Sequence, residues 1–314
     1  MPALFRQQSS SNVVSNGIFC TLAELFHEGQ KSLNKTLHLK RKAKAQSGGL
    51  KRSSIRGRGM EFFESRPYVP QDEIRNIDWK VSARLNNLYT KIFVEEKNRP
   101  VYLAIDMRPH MFFGTKNCFK SVLSARIAAR LAFAALNGAD QIGGAIFDGH
   151  RVIDCPLSMR RNYVSRFLGQ IAKSTEKSGE EVAPNFWHGV FQHLCNRVHR
   201  GSQLFLMSDF LDFDSSMRAW LIRILKKNDV IALKIIDPLE LELPSIGQLG
   251  MSYGEHQLIF NSNDKNIQEH YKDWFKSHSA MQKEFFRKLE IPFLEFKTSD
   301  NLDEELNKLF LGKW

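Results

Sequence analysis

The chain has 314 residues, 42% hydrophobic and 25% charged, a composition typical of a soluble globular protein with one large or two smaller domains. Its net charge of +11 is concentrated in the first 58 residues, where eleven Lys and Arg stand against Glu24 and Glu28, while the remainder carries 34 Lys and Arg against 32 acids. These values exclude a fibrous or broadly disordered protein, and they argue against a basic surface that covers the whole chain.

The first predicted region, residues 1–50, is a basic and partly helical segment. Apolar residues recur near helical spacing from Ile18 to Leu37, which predicts a helix over 17–45. The stretch "LHLKRKAKAQSGGLKRSSIRGRG" contains eight Lys and Arg and no acid. Two interpretations remain open. In the first, the segment is a solvated arm that contacts an acidic partner protein or makes no specific contact. In the second, it contacts nucleic-acid phosphates or an anionic membrane surface.

Residues 51–98 are predicted to form a small β-rich subdomain. The segments "MEFFESRPYV" and "LYTKIFVEE" are rich in aromatic and β-branched residues, which favours strands. Between them lies a highly charged connection that contains two prolines and one tryptophan. We expect this connection to fold over the two strands.

From residue 99 to residue 314, apolar strand patterns alternate with helical ones. The predicted strands are "PVYLAID", "QIGGAIFDG", "SQLFLMSDF", "DVIALKIIDP" and "IPFLEF". The predicted helices are "CFKSVLSARIAARLAFAALNG", two segments near 161–175 and 185–199, "SSMRAWLIRILKKN", "YKDWFKSHSAMQKEFFRKL" and "NLDEELNKLF". Residues near 239–261 interrupt this alternation with a β-like excursion.

This alternation predicts an α/β fold. Strands that are apolar on both faces and separated by helices indicate a doubly wound, mostly parallel sheet that is covered on both sides. Asp106, Asp148, Asp209 and Asp237 each fall where a predicted strand ends. Because ligands of such sheets bind outside the carboxyl ends of the strands, these aspartates are candidate site residues.

From about residue 45 to the C-terminus, the sequence resembles the family called domain of unknown function 58. The residues that carry the resemblance are "RGRGMEFFESRPYVPQDEIRNIDWKVSARLNNLYTKIFVEEKNRPVYLAIDMRPHMFFGT", "MSDFLD" and "IDPLELELP". The resemblance implies a sheet of von Willebrand factor A type. It also implies a MoxR-type AAA+ ATPase as partner, in a chaperone-like system that matures unidentified client proteins.

The same resemblance directs attention to the first strand-end loop. Metal-binding von Willebrand factor A domains use an Asp-x-Ser-x-Ser loop there, whereas this chain has Asp106, Met107, Arg108, Pro109 and His110. Both serines are absent, and the guanidinium of Arg108 stays charged. We therefore expect a degenerate adhesion site without metal or cofactor, in which Arg108 ties Asp106 and Asp209 together. The strand-end set is Asp106, Arg108, His110, Asp148 and Asp209.

The charged connection supplies a second candidate site, formed by Arg66, Tyr68, Asp72, Arg75, Asp78, Trp79, Ser82 and Arg84. In one interpretation these charges pair among themselves while Trp79 fills a gap, so that loss of Trp79 or Arg84 would unfold the region. In the other, the connection is a docking surface, since Trp and Arg dominate interface energetics. Catalysis is disfavoured because no nucleophile and base pair is evident.

The sequence offers little support for an enzyme. It lacks G-x-x-x-x-G-K-[ST], G-x-S-x-G and H-E-x-x-H, the motifs of common phosphate-binding, hydrolase and metalloprotease sites. Cys195 and His199 could share a zinc ion, but His188 is too far along the same helix to join them, so an ordinary helix is expected.

The chain is expected to be cytoplasmic. It contains no run of 18 apolar residues, it lacks a signal-peptide pattern, and its four cysteines are widely separated. The sequence thus predicts a cytoplasmic, non-enzymatic adaptor that binds an AAA+ ATPase.

Overall fold

The computed structural model describes residues 16–35, 37, 60–70, 72–95, 99–177, 186–253 and 256–312. The basic cluster from Lys40 to Arg58 lies outside these ranges. The described residues form two units. The larger one contains residues 16–35, 37 and those from 99 onwards, and the smaller one contains residues 60–70 and 72–95.

The first helix of the larger unit, α1, spans Leu22–Gln30. Thr21 caps it by accepting a hydrogen bond from the backbone N–H of Glu24, which satisfies one of the donors left free at a helix start. Gly17 has a φ of +71°, outside the helical range. Within the described residues, the helix is therefore shorter than the predicted span of 17–45.

The smaller unit is built on the antiparallel strands β1 (Met60–Pro67) and β2 (Tyr89–Glu95). Both strands were predicted. Their connection contains a short 3₁₀ turn, Ile74–Asn76, and the helix α2, Trp79–Leu85. Asp78 caps α2 by accepting from the backbone N–H of Val81 at 3.2 Å.

The rest of the larger unit alternates strands and helices as the sequence predicts. Its strands are β3 (Val101–Asp106), β4 (Ile142–Phe147), β5 (Val152–Ser158), β6 (Gln203–Ser208), β7 (Asp229–Ile236), β8 (Gln248–Tyr253), β9 (His256–Asn261) and β10 (Phe293–Lys297). Its helices are α3 (Lys120–Asn137), α4 (Arg161–Glu176), α5 (Phe186–Arg197), α6 (Arg218–Leu225), α7 (Pro238–Leu241), α8 (Lys265–Lys288) and α9 (Leu302–Phe310).

The six-stranded sheet of this unit has the order β10-β7-β6-β3-β4-β5. The strands run parallel except for β5, which is antiparallel to β4 and was not predicted. After β3 the chain adds β4 and β5 on one side of that strand, and it then adds β6, β7 and β10 on the other side. The strand order therefore reverses between β3 and β6, which is where open α/β sheets bind their ligands. The predicted excursion near 239–261 is the hairpin β8–β9, a separate two-stranded sheet.

Side chains of β3 alternate between two apolar cores. Val101, Leu103 and Ile105 pack with α1, α3, α4 and α9, whereas Tyr102 and Ala104 pack with α5, α6 and α8. This alternation follows from the two-residue period of a strand. Helices thus cover both faces of a mostly parallel sheet, as predicted for a doubly wound fold.

The two acids of the N-terminal segment hold α1 against α3. The Arg126 guanidinium donates to Glu24 at 2.7 Å, and that of Arg130 donates to Glu28 at 2.9 Å and to Asp303 of α9 at 2.5 Å. Because Arg130 is 96% buried in its side chain, loss of an acidic partner would leave a buried charge uncompensated. Charge pairing therefore fixes where this helix lies.

Within the described residues, no helix combines the length and the apolar character needed to span a membrane.

We predict that Gly29→Ala lowers the free energy of unfolding by about 1–3 kcal/mol, the usual cost of overpacking. A Cβ at residue 29 would lie 2.1 Å from the Phe133 ring, which is buried on α3. The matched control is Gly169→Ala in α4, where a Cβ would meet nothing within 4 Å and should add about 0.5–1 kcal/mol through helix propensity. Urea denaturation of both variants tests this, and equal effects would contradict the prediction.

Candidate functional site

The candidate site lies where the strand order reverses, at the carboxyl ends of β3 and β6. Asp106 is the last residue of β3, and Asp209 directly follows β6. Both carboxylates are buried, at 2% and 5% exposure. Ser208 donates to the Asp106 Oδ2 atom at 2.7 Å, so the two strand ends are joined directly. We call the residues around these carboxylates the strand-end network.

Arg108 is the most deeply buried member of the strand-end network, with 0% exposure. Its Nε donates to both Asp106 oxygens at 3.1 Å and its Nη2 donates to Oδ2 at 2.8 Å. Its Nη1 donates to Asp212 at 2.5 Å. Because the guanidinium donor is permanently charged, these are charge-assisted hydrogen bonds, the strong class in proteins.

The guanidinium of Arg108 also packs on the aromatic start of α5. Its Cζ lies 4.2 Å from the centre of the Phe186 ring and 5.0 Å from that of Trp187, a distance at which cation–π attraction operates. Trp187 in turn donates from Nε1 to Asp212 at 2.9 Å. This stacking directs Arg108 toward α5.

The predicted link from Arg108 to Asp209 was therefore wrong. The guanidinium joins Asp106 to Asp212 instead, and Asp209 is neutralised by a different cation. Lys120 of α3, which is 1% exposed, donates to Asp209 at 2.9 Å and to Glu240 at 2.5 Å. The network thus contains two buried cations, each of which is shared between two acids.

His110 lies between the two strand-end carboxylates. Its Nε2 is 3.4 Å from Asp209 Oδ1 and 3.8 Å from Asp106 Oδ2. Burial lowers the pKa of His110, but Asp209 and then Asp106 outweigh burial and raise it to about 9. At neutral pH the imidazole is therefore charged, and it adds a third cation to the network.

The acids of the network are correspondingly held ionised. Burial would raise the pKa of Asp106, but Arg108 and His110 lower it to about 2. Lys120 and His110 likewise lower the pKa of Asp209 well below its usual value against the effect of burial. Opposite charges at close range thus overcome desolvation at both sites.

The loop after β6 carries backbone strain. Phe210 has a φ of +55°, a conformation that is costly for a bulky residue. Ser208 Oγ accepts from the Phe210 N–H at 3.0 Å, and Gln282 of α8 donates to the Phe210 carbonyl at 2.6 Å. These bonds hold the turn between Asp209, which contacts Lys120, and Asp212, which contacts Arg108.

Two strand-end aspartates lie outside this arrangement. Asp148 accepts from the backbone N–H groups of His150 and Arg151 at 3.0 and 2.7 Å, so its contacts stay within its own turn. Asp237 begins α7 and accepts from Thr115 and Thr298 at 2.5 and 2.6 Å. Asp148 therefore acts within its own turn and does not join Asp106 and Asp209, whereas Asp237 caps α7 and also ties the loop after β3 to the residue that follows β10.

The space beside Asp106 is small. A cavity of about 10 Å³ is bordered by Asp106, Phe186, Trp187 and neighbouring strand residues, which is roughly the volume of a single water molecule on this measure. The paired charges thus fill the crevice in which a ligand of this kind of sheet would bind.

Among the described residues, one group offers three potential metal ligands close together: Asp106, His110 and Asp209, with one ligand atom of each within 4.8 Å of the others. A divalent cation would meet the Arg108 guanidinium on both Asp106 oxygens and the Lys120 ammonium on Asp209. A metal would also have to displace a proton from His110 before that side chain could coordinate it. These residues therefore do not fit a divalent metal at neutral pH.

The charged connection of the smaller unit combines internal pairing with exposure. Arg66 donates to Asp72 at 2.7 Å, Ser65 donates to the α2 cap Asp78 at 2.9 Å, and Ser82 accepts from the Tyr89 N–H at 2.9 Å. For half of the segment, these bonds support the interpretation in which the polar groups of the connection pair among themselves. Tyr68 is half-buried, and its N–H donates to the carbonyl of Leu88 at the hairpin end.

The other half of the segment is exposed. Trp79 is 65% exposed and Ile74 67% exposed, so the expectation that Trp79 fills a gap was wrong. Arg75 and Arg84 are also exposed and have no acidic partner in the described part of the chain. Trp79 is the first residue of α2, and its high exposure places the indole outside the packing of this unit.

Sequence reasoning missed Lys120, Ser208, Asp212, Glu240 and the aromatic pair Phe186 and Trp187. A signal for Lys120 exists, because it begins a helix whose next residues are nearly all apolar or small. Asp212 is the second acid of the run "SDFLD". The stacking of Arg108 on α5 has no counterpart in local sequence, since 78 residues separate Arg108 from Phe186.

The suggested zinc pair, Cys195 and His199, does not lie on a single helix. The helix ends at Arg197, so His199 lies beyond it. His188 packs against Trp220, with ring centres 6.2 Å apart, and burial raises the pKa of the Cys195 thiol. These features agree with the predicted structural role of the helix.

Comparison with known families and proteins gives few functional clues. A model of the family described as "Protein of unknown function DUF58" matches residues 64–281. Uncharacterized proteins of Mycobacterium bovis and Mycobacterium tuberculosis are 27% identical over 249 residues, which cover 78% of this chain and 76% of theirs.

Among solved structures, a conserved hypothetical protein BatB from Bacteroides thetaiotaomicron matches 67% of this chain and 98% of its own, with 13% identity and a TM-score of 0.42. An aerotolerance-related membrane protein from Bacteroides fragilis matches 67% and 99%, with 13% identity and a TM-score of 0.41.

We predict that the stability of the protein falls as pH rises through about 9, and that His110→Gln reduces this dependence to the part that comes from the buried thiols, whose pKa values burial raises. The folded-state pKa of His110 is raised above its ordinary value of 6.5. The stabilisation of the fold by the charged imidazole is therefore complete below pH 6.5 and is lost above the raised pKa. The loss amounts to at most about 3 kcal/mol. Urea denaturation at pH 6.5 and 9.5 measures it. The exposed His150→Gln serves as control, and an unchanged pH dependence in His110→Gln would refute the prediction.

We also predict that calorimetric titration with Mg²⁺ or Mn²⁺ at pH 7.5 gives no saturable heat that depends on Asp106. The physical reason is that Arg108 and Lys120 already occupy the carboxylates a cation would need. Wild type is compared with Asp106→Asn and with His110→Gln, in which the new side chains are close in size to those they replace. A saturable signal that disappears in both variants would show that the charged network yields to a metal.

Proposed function

The chain belongs to the family described as protein of unknown function DUF58, and from this premise we propose that it is a non-enzymatic adaptor that works with a MoxR-type AAA+ ATPase. In this proposal the pair acts in the chaperone-like maturation of client proteins. The protein contributes binding surfaces, and the ATPase contributes the energy of ATP hydrolysis.

The observation that carries the proposal is the internal pairing of the strand-end network. Catalytic acids and bases need a pKa near the working pH and access to a substrate. Asp106 and Asp209 have strongly lowered pKa values and direct contacts with Arg108, Lys120 and His110. Carboxylates that are buried and neutralised in this way suit a scaffold better than a reaction centre.

We further propose that the fold is of von Willebrand factor A type with a degenerate metal-ion-dependent adhesion site. The parallel order around β3 and the position of Asp106 at the end of that strand support this assignment. In the proposal, Arg108 takes the place of the cation. The site thereby keeps the rigidity that a bound metal would supply and loses the open coordination position to which a partner carboxylate would bind.

The proposed contact with the ATPase is the exposed part of the charged connection. Trp79 and Ile74 present apolar surface beside the exposed cations Arg75, Lys80 and Arg84. Tryptophan and arginine are the residue types that most often dominate binding energy at protein interfaces. A partner surface with an apolar pocket bordered by acids would match this face.

A second candidate function is binding of nucleic acid or an anionic membrane through the basic segment from Lys40 to Arg58. The observation that favours it is the cluster of eight Lys and Arg without an acid. Such binding would weaken steeply with salt because it depends on counterion release. For the adaptor we propose a cytoplasmic location, in keeping with the ATP-dependent partner.

We predict that Trp79→Ala weakens binding to the MoxR-type ATPase of the same cells at least about tenfold, as expected when an interface tryptophan is truncated. The matched control is Trp274→Ala, which removes another exposed tryptophan, on α8 of the larger unit. Tagged full-length chains are used to capture the ATPase with and without ATP, and affinity for the purified ATPase is then measured by interferometry.

Equal binding by wild type and Trp79→Ala would overturn the assignment of this face. No capture of an ATPase by any of the three chains would overturn the adaptor proposal itself. Capture of nucleic acid or lipid that is lost when Lys40, Arg41, Lys42 and Lys44 are all changed to Gln, with α1 left intact, would favour the second candidate function.

A further inference from the structure

A groove outside the strand-end network runs along the edge strand β5. Its volume is about 230 Å³, and it lies between β5 and α4. We call it the edge groove; its lining residues are Ile153, Asp154, Cys155, Pro156, Tyr163, Arg166, Phe167 and Gln170.

The strand that forms one wall has an open side. β5 is the last strand in the sheet order and pairs only with β4 in the described part of the chain. An edge strand presents a row of unpaired backbone N–H and C=O groups, which can pair with another extended chain. The register with β4 is regular from Val152 to Cys155 and shifts before Ser158. The segment best suited to pairing is therefore Val152–Cys155.

The opposite wall is one face of α4. Arg166, Phe167 and Gln170 follow Tyr163 by three, four and seven residues. The four side chains therefore share one helix face. Phe167 is buried at 3% exposure, whereas Tyr163 is 40% exposed. With Ile153 and Cys155 on the strand side, the groove has an apolar floor and an open, partly polar rim.

The rim is strongly basic. Arg151 precedes β5, Arg160 and Arg161 follow it, and Arg166 stands on α4 over the Tyr163 ring at 5.7 Å. All four are exposed. Arg151 contacts Asp148 at 3.3 Å, and the other three have no acidic partner within the described ranges. Cations therefore stand at both ends of the groove and on α4 along its length.

The acid in the groove does not offset these charges. Asp154 Oδ1 accepts from the Tyr102 hydroxyl at 2.8 Å and lies 3.1 Å from His193 Nε2, and its Oδ2 lies 3.5 Å from Arg197. Its carboxylate is thus engaged on the α5 side of the sheet. A ligand in the groove would meet unbalanced positive charge.

We propose that the edge groove binds an extended, acidic segment of a partner protein as an added β-strand. The segment's backbone pairs with Val152–Cys155, an apolar side chain enters the groove, and Asp or Glu residues at its two ends meet Arg151, Arg160 and Arg161. A strand the length of β5 extends about 24 Å, so the segment needs about seven residues. This recognition mode takes affinity from main-chain hydrogen bonds and specificity from side-chain pockets.

Charge and shape favour a peptide over other occupants. A second copy of this chain, paired edge to edge, would bring two sets of unpartnered arginines together, and like charges at an interface are costly. A nucleic acid would satisfy the arginines but would leave the backbone groups of β5 unpaired. The proposal does not depend on the ATPase partnership or on Trp79.

The test uses the full chain and a fluorescein-labelled peptide of sequence Glu-Glu-Val-Thr-Val-Glu-Glu. Binding is followed by fluorescence anisotropy at low salt. We expect saturable binding that the double variant Arg160→Glu/Arg161→Glu weakens at least about tenfold, since charge reversal at an interface is costly. The control is Arg218→Glu on α6, another exposed arginine on the opposite face of the sheet, which should bind as wild type does.

Two further measurements separate strand addition from simple charge attraction. The same peptide with alternate backbone nitrogens methylated keeps its charges but cannot pair with an edge, so its binding should fall at least about tenfold. Hydrogen exchange should show protection of residues 152–155 by the unmodified peptide.

Equal binding of the methylated peptide, or an absence of protection at β5, would overturn the proposal. So would a single-stranded oligonucleotide that displaces the peptide and depends on the same arginines. Self-association that the double variant changes, measured by light scattering without peptide, would assign the groove to a second copy of the chain.

Discussion

The guanidinium of Arg108 is the group on which the strand-end region depends. It is wholly buried, and it joins Asp106 at the end of β3 to Asp212 in the loop after β6 while stacking on Phe186 and Trp187 of α5. An isolated charge in such a place would be prohibitive. Three otherwise separate elements are therefore fixed in position by the requirement that this one cation and its two carboxylates remain together.

The same physical solution recurs elsewhere in the larger unit. Lys120 is shared by Asp209 and Glu240, and Arg130 is shared by Glu28 and Asp303. In each case a buried cation from one helix meets acids from two other parts of the chain. Buried pairs of this kind add little net stability, but they are costly to break. They therefore specify which elements lie together more than they raise the stability of the fold.

Family membership and fold leave the activity open, because function depends on particular sites and not on the sheet that carries them. The crevice in which such sheets usually bind ligands is here filled by paired charges, whereas the Trp79 face and the edge groove are two surfaces that remain open in the described part of the chain. Both combine apolar side chains with unpartnered arginines. That combination is typical of surfaces that bind other proteins.

The sequence by itself determined the α/β class, the order of most strands and helices, and the strand-end position of Asp106 and Asp209, because these follow from hydrophobic periodicity and local turn chemistry. It also singled out Arg108 as a cation beside the strand-end carboxylate of Asp106, which the structure confirms. The tertiary structure decided which acid Arg108 contacts, since the stacking on Phe186 depends on how α5 packs across the sheet. It likewise decided that Trp79 is exposed and that β5 forms an edge. These outcomes depend on which segments distant in sequence become neighbours, and local patterns carry no information about that.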